Sequence, residues 1–227
     1  TTMLTTLWNV INIDKDFYVA NVVIRSIADN VALLFLIYDK DEGEIRILRH
    51  YLFLLDGIRS RLANLIIPIK NDDITEEEYQ KLVKQQEDFK SMLNGCKKYI
   101  IECITSLKIY NTNKLGIDML MKNKKGEELY NWKFKTLNIV PSQINTEKNT
   151  YNWKSMYSEI KLPEKFFSSF LSDYVHGLSM SNITIAPDKQ NMGTLVYITK
   201  VLMERIELFV RKYYAIELKY IKKNTKQ

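Results

Sequence analysis

Along most of the chain, apolar residues recur every three or four positions, the spacing that gathers them on one face of an α-helix. The first such stretch follows Asp14 or Asp16, either of which can cap a helix that runs to about residue 38. No segment of four or more residues alternates apolar and polar positions convincingly, so we predict negligible strand content. The pattern therefore predicts an all-α fold.

A second helix is predicted from about residue 44 to residue 66, because a proline follows at position 68 and the residue before a proline disfavours helical backbone. Its apolar positions keep the three-and-four spacing, and Arg59 occupies one of them. We therefore predict that the Arg59 guanidinium faces the core. Its partner would be a carboxylate, either that of Asp56 on the same helix or that of Asp29 on the first helix.

The third predicted helix opens at Thr75, which forms a capping-box pair with Glu78, and extends to about residue 110. An apolar stripe of this kind is typical of a helix that lies on a core. The residues of the stripe, all predicted to face inward, are Leu82, Phe89, Leu93, Cys96, Ile100, Cys103 and Leu107.

The long periodicity is lost in residues 111–161, where segments beginning at positions 114, 126 and 151 are predicted to be short helices separated by loops. A short helix is predicted over residues 163–177, followed by a final helix of about 30 residues. We predict one domain over residues 1–227, a helical bundle of five or six main helices with a basic tail at about 219–227. The residues of the final helix predicted to face inward are Leu195, Ile198, Leu202, Ile206, Phe209 and Tyr213.

Composition agrees with long helices in a soluble protein. Seven glycines and four prolines are few for 227 residues. The longest unbroken apolar run, residues 31–38, is far shorter than the roughly 20 residues that a membrane-spanning helix needs. Cys96 and Cys103 lie about 10 Å apart along one predicted helix, too far for a disulfide. We expect a cytoplasmic protein with no membrane partner.

The net charge of +6 is concentrated in the last 17 residues, which hold six basic side chains and one acidic side chain. Because the rest of the chain is close to neutral, net charge is weak evidence of a nucleic-acid partner. Most of the arginines nevertheless cluster within 37 consecutive residues. These are Arg25, Arg46, Arg49, Arg59 and Arg61.

The arginine cluster has two interpretations. Arg25 precedes Asp29 by four residues, and Arg49 lies on the same predicted helix as Asp56. One interpretation is a structural polar network of Asp29, Asp56 and Arg59 that satisfies charges inside a bundle. In the other, a guanidinium held by one of these carboxylates presents its remaining donors to a phosphate.

His176 is the candidate for general acid–base chemistry, because a histidine side chain titrates near neutral pH. Ser172 lies four residues before it and Asp173 three, so either can orient the imidazole ring on a helix. The alternative is a structural histidine stabilised at the C-terminal end of that helix. The chain has no metal-binding spacing of His and Cys and no glycine-rich phosphate loop, so we expect no metal and no cofactor.

The Arg-bearing first helix, the second helix with Arg and Asp, and the segment Ser172, Asp173, Tyr174, Val175, His176 and Gly177 together resemble the HEPN superfamily of small helical bundles. The resemblance implies a metal-independent ribonuclease, often part of a toxin–antitoxin or antiviral defence system, with a composite site across a homodimer. In that superfamily the catalytic arginine and histidine lie on one helix with four to six residues between them. Residues 169–172 contain no arginine here, so the resemblance implies either that the arginine comes from elsewhere or that catalysis is lost and only binding or dimerisation remains.

Two main functions stay open, and binding of a small molecule or nucleotide in the bundle core is a third alternative. In the first, the protein acts on RNA, with His176 as general acid or base and Arg25 or Arg49 stabilising the developing charge. The residues expected to bind the substrate are Ser172, Asp173 and Tyr174. The partners would be RNA, a second copy of the chain or an antitoxin-like protein. In the second, the chain is a non-catalytic helical module that binds another protein or its own copy.

Overall fold

A computed structural model describes residues 2–14, 16–66, 68–70, 73–138, 140–165, 167 and 189–215. Within these ranges the regular elements are helices, and the sheet-like pairings are two isolated bridges, Lys122 with Glu128 and Phe134 with Thr150. The predicted all-α fold is confirmed. The chain forms two compact units, the first from Thr1–Lys40 and Tyr151–Gln227 and the second from Asp41–Thr150. The prediction of one domain stays a prediction.

The first unit contains α1 (Thr2–Asn9), α2 (Phe17–Leu34), the short α6 (Trp153–Glu159) and α7 (Lys189–Tyr213). A π-helical turn, Val10–Asp14, follows α1, and another, Phe35–Asp39, follows α2. Of the two predicted caps for α2, Asp16 is the one used, because its carboxylate accepts a hydrogen bond from the backbone of Val19 at 2.9 Å.

The core of the first unit lies around α2, which contacts α1, α6 and α7. The predicted inward face of the final helix is confirmed at its first three positions, Leu195, Ile198 and Leu202, which are buried. Ile206, Phe209 and Tyr213 are only half-buried. The final helix is therefore packed most closely in its first half.

The second unit contains α3 (Gly43–Ala63), α4 (Glu76–Thr105) and α5 (Lys108–Met121), and α3 packs against both of the others. The predicted capping box of Thr75 and Glu78 is confirmed at the start of α4. At the start of α5 the Glu44 carboxylate accepts hydrogen bonds from the backbone of Lys108 and Ile109 at 3.1 and 2.7 Å. A side chain of α3 thus stabilises the N-terminus of α5, as expected for an acidic group at the positive end of a helix.

The predicted short helix beginning at position 126 is wrong. In its place, residues 126–137 form turns and irregular backbone, and Phe134 makes an isolated bridge with Thr150. Tyr130, Trp132 and Phe134 are all buried. Tyr130 has a left-handed backbone conformation, with a φ of 50°, and the Trp132 amide donates to the Tyr130 carbonyl at 2.9 Å, so the backbone here is not helical.

The inward stripe predicted for α4 is only partly correct. Leu93 and Ile100 are buried, but Leu82 and Phe89 are 40% and 38% exposed, and Cys96 is exposed. None of the described side chains from residue 76 to residue 92 is buried. The first half of α4 is therefore packed less closely than the second half, which contains the buried Leu93, Ile100 and Ile104.

One segment of the described chain, Tyr18–Asp39, is long and apolar enough to cross a membrane by length and composition, with a mean hydropathy of 1.7. Half of that stretch is buried inside the protein. The core helix of a soluble protein meets the same criterion, so the segment is weak evidence of a membrane span.

Candidate functional site

Among the described residues of the second unit, Arg49 is the most completely buried charged residue, with no exposed side-chain surface. Its Nε donates to Asp41 at 2.8 Å and its Nη2 donates to the same carboxylate. Its Nη1 donates to the backbone carbonyls of Trp132 and Phe134 at 2.7 and 2.8 Å. The guanidinium therefore holds the segment that contains Trp132 and Phe134 onto α3 and offers no exposed surface to a phosphate.

The Phe134 ring completes the surroundings of this arginine. The guanidinium carbon of Arg49 lies 4.1 Å from the ring centroid, within the range of a cation–π contact. The nonpolar ring on one side and the hydrogen bonds in the guanidinium plane satisfy a buried cation, as the structural interpretation of the arginine cluster requires.

Arg25 belongs to a second polar network, which lies in the first unit. Its Nε donates to Asp29 at 3.0 Å, and its Nη1 donates to the carbonyl of Phe167. Tyr157 donates its hydroxyl proton to the same Asp29 carboxylate, and its ring centroid lies 5.1 Å from the guanidinium carbon. The side chain of Arg25 is only 11% exposed. The network joins α2 to α6 and to the backbone beyond α6.

The third charged pair lies at the surface of the second unit. Arg59 donates to Asp56 at 2.5 Å, and Asp56 also accepts from the indole nitrogen of Trp132 at 3.1 Å. The side chain of Arg59 is 43% exposed, so the prediction that it faces the core is wrong. Ile58 takes the inward position instead. The buried arginine of this helix is Arg49, one of the residues that the periodicity left outside the apolar stripe.

The residues predicted to carry acid–base chemistry and substrate binding, Ser172, Asp173, Tyr174 and His176, lie outside the described residues. His50, the other histidine, is half-buried on α3, with its ring centroid 6.0 Å from that of Tyr51. Burial lowers the pKa of His50 below its usual value. Among the described residues, no group of three or more His, Cys, Asp or Glu side chains could hold a metal ion.

An exposed apolar stripe on α4 is the feature of the second unit that sequence reasoning missed. Its members recur at steps of three and four residues, the heptad spacing of helices that pair with other helices. Its four large apolar side chains are between 38% and 66% exposed. We call this stripe the α4 seam, and it consists of Leu82, Gln85, Phe89, Met92, Cys96 and Tyr99.

The α4 seam lies beside the buried stripe that includes Leu93, Ile100 and Ile104. Because both stripes have nearly the same period, the apolar pattern of α4 in the sequence reads as one wide face. The feature of the sequence that could have distinguished the two stripes is the width of the apolar face, which is broader than one neighbouring helix can cover.

No known family model, no curated protein and no solved structure matches this chain.

Proposed function

We propose that the protein is a non-catalytic helical module that pairs with a second copy of itself along the α4 seam. The observation that carries the proposal is the heptad spacing of exposed residues over positions 82–99, the first four of which lie in the half of α4 where no described side chain is buried. Burying such a stripe against another helix removes apolar surface from water. Contiguous exposed apolar surface of this kind marks interaction sites.

The order of side chains in the seam supports pairing with an identical, antiparallel helix. Pairing centred between Phe89 and Met92 places Phe89 opposite Met92 of the partner copy and Leu82 opposite its Tyr99. Gln85 then lies opposite Cys96. Every large apolar residue of the seam meets another, which is the self-complementarity that a two-fold interface needs.

Charge along α4 also supports the antiparallel orientation. Residues 76–90 carry five acidic and three basic side chains, whereas residues 91–105 carry two basic side chains and one acidic side chain. An antiparallel partner brings its positive half to the negative half of this helix. A parallel partner would instead bring two negative halves together.

The two charged networks favour this function over one that acts on RNA. Arg25 and Arg49, the arginines expected to stabilise a phosphate, donate to carboxylates and backbone carbonyls of their own units. Withdrawing either from its partners would leave buried polar groups unpaired, at a cost of about 3 to 5 kcal/mol for a buried pair.

Sedimentation across a range of protein concentrations tests the proposal. We expect the wild-type chain to form a concentration-dependent dimer, and the double variant Phe89→Gln, Met92→Gln to be monomeric. The matched control is Lys84→Gln, Lys98→Gln, two exposed α4 positions away from the seam, which should dimerise as the wild type does. Circular dichroism establishes that all three chains keep their helices. A wild-type monomer at the highest soluble concentration would overturn the proposal.

Cysteine crosslinking tests the orientation. In the antiparallel dimer the two Cys96 residues lie about 16 Å apart along the helix axis, too far for a disulfide. The variant Gln85→Cys, made with Cys103→Ser, should therefore form a disulfide-linked dimer under mild oxidation, whereas Cys103→Ser alone should not. Crosslinking through Cys96 in the Cys103→Ser chain alone would show a parallel dimer.

A further inference from the structure

A cavity of about 660 Å³ lies within the first unit, between the end of α2 with its π-helical turn, the end of α6 and the second half of α7. This volume is in the range of pockets that hold small organic ligands. It is distinct from the α4 seam, which belongs to the second unit. The apolar side chains of its wall include Val31, Leu34, Phe35, Ile160, Ile206 and Phe209.

The acidic side chains at the cavity already have cationic partners. Asp39 accepts from Lys212 and, at 2.8 Å, from the hydroxyl of Tyr213. Glu159 accepts from Lys40 at 2.6 Å. Neither carboxylate is therefore available to neutralise a further cation of the cavity wall.

Arg205 and Lys161 are the cationic residues of the wall that form no ion pair with any described residue. The Nε atom of Arg205 is buried and, in the described part of the chain, has no hydrogen-bond partner. A buried donor without an acceptor is unfavourable, and such groups in folded proteins usually have a partner. Arg205 lines the cavity, so its guanidinium is the cationic group that an anionic ligand in the cavity would meet.

We propose that this cavity binds a single-chain fatty acid, with its carboxylate on Arg205 and its hydrocarbon tail among the apolar side chains. A planar carboxylate accepts two parallel hydrogen bonds from a guanidinium. The wall of the cavity is mainly apolar, which suits the hydrocarbon tail of a fatty acid and does not suit a small polar anion such as free phosphate.

Isothermal titration calorimetry with decanoate, below the concentration at which it forms micelles, tests the proposal on the full chain. We expect saturable binding of one decanoate per chain. Decan-1-ol, which has the same tail without the charge, should bind at least about tenfold more weakly because it cannot form the charge-assisted hydrogen bonds. No binding of decanoate, or equal binding of the alcohol, would overturn the proposal.

Three variants locate the site. Arg205→Met removes the positive charge and the guanidinium donors, so decanoate affinity should fall by about tenfold or more. Arg205→Lys keeps the charge but removes the planar guanidinium, so the loss of affinity should be smaller. Arg211→Met is the matched control, because Arg211 lies on the same helix, is exposed, and pairs with Glu207. It should bind decanoate as the wild type does. Equal loss in both methionine variants would place the ligand elsewhere.

A fourth variant tests occupancy of the cavity itself. Leu34 lines the cavity and is 39% exposed, so Leu34→Trp should fill part of the space and weaken decanoate binding without opening a void in the core. Thermal unfolding without ligand shows whether each variant is folded. Among folded variants, unchanged binding by Leu34→Trp would contradict the assignment of the tail to this cavity.

Discussion

Tyr157 and Asp29, 128 residues apart in the sequence, are joined by a hydrogen bond in which the phenol donates to the carboxylate. The same carboxylate accepts from Arg25, so one aspartate satisfies a tyrosine from α6 and an arginine from its own helix. Tyr157 has no exposed surface. The first unit therefore depends on a polar contact in its core between distant parts of the chain.

The titration of Tyr157 gives the first prediction. Burial, and then the hydrogen bond and charge of Asp29, raise the pKa of Tyr157 far above its usual value near 10. The folded state thus keeps a proton that the unfolded state releases, so the stabilising contribution is fully present below pH 10 and is lost as the pH rises beyond it. The difference in free energy of unfolding between the wild type and Tyr157→Phe should be about 1 kcal/mol at pH 8 and smaller at pH 10.5.

Urea unfolding at the two pH values measures this difference. Tyr197→Phe is the control, because Tyr197 is 63% exposed on α7 and its removal should change the free energy of unfolding little at either pH. A difference for Tyr157→Phe that grows with pH would show that the tyrosine is ionised more easily in the folded state.

The second prediction separates the buried ion pair from the exposed one. Asp41→Ala leaves the buried guanidinium of Arg49 without its carboxylate, so the free energy of unfolding should fall by about 3 to 5 kcal/mol. Asp56→Ala breaks the surface pair with Arg59 and the hydrogen bond from Trp132, and should cost about 1 kcal/mol. Chemical unfolding of both variants makes the comparison, and equal losses would mean that Arg49 is solvated.

The contrast between Arg49 and Arg59 shows how far the sequence predicts the fold. Periodicity predicted a helix where α3 lies, and of the apolar positions in its stripe Leu48, Leu52 and Leu55 are buried, whereas Ile66 lies beyond the end of the helix and is 79% exposed. It placed the wrong arginine in the core, because the guanidinium of Arg49 is buried by Trp132 and Phe134, more than 80 residues away. A pattern along one helix contains no information on carbonyls that a distant segment brings to it.

The capping residues were the most reliable local signals. The capping box of Thr75 with Glu78, and a cap at either Asp14 or Asp16, were predicted from side-chain chemistry that acts within three residues, and the structure has the capping box and the Asp16 cap. Positions that depend on partners were predicted less well. The exposed Leu82 and Phe89 on α4 look identical in the sequence to core residues, since burial depends on whether another helix is there to cover them.

The third prediction concerns the exposed half of α4. Because none of the described side chains in residues 76–92 is buried, backbone amides there should exchange with solvent quickly when the chain is monomeric. If a second copy covers the α4 seam, exchange over the seam should slow as protein concentration rises. Residues 117–121 of α5, which include the buried Ile117 and Leu120, serve as the control and should exchange at a rate independent of concentration.

Hydrogen–deuterium exchange at a low and a high protein concentration measures this dependence. In the variant Phe89→Gln, Met92→Gln, fast exchange over residues 76–92 should persist at both concentrations. Slow exchange of this segment in the monomeric variant would mean that α4 is stable without a partner, and would remove the reason to expect one.

The last prediction decides between the interaction module and a protein that acts on RNA. With Arg25 and Arg49 held by partners inside their own units, we expect total RNA to stay intact when it is incubated with the purified chain in EDTA, under conditions in which a known ribonuclease is active. EDTA inactivates metal-dependent nucleases, so cleavage in EDTA that is lost in the His176→Ala variant would be of the metal-independent kind that the HEPN resemblance implies. His176→Ala should then differ from the wild type only in stability, by about 1 kcal/mol if the ring stabilises a helix C-terminus.

RNA cleavage by the wild type that is lost in His176→Ala, with an unchanged melting temperature, would instead establish His176 as a catalytic residue. In that case Arg25→Ala and Arg49→Ala would show which of the two arginines leaves its structural partners to stabilise the phosphate.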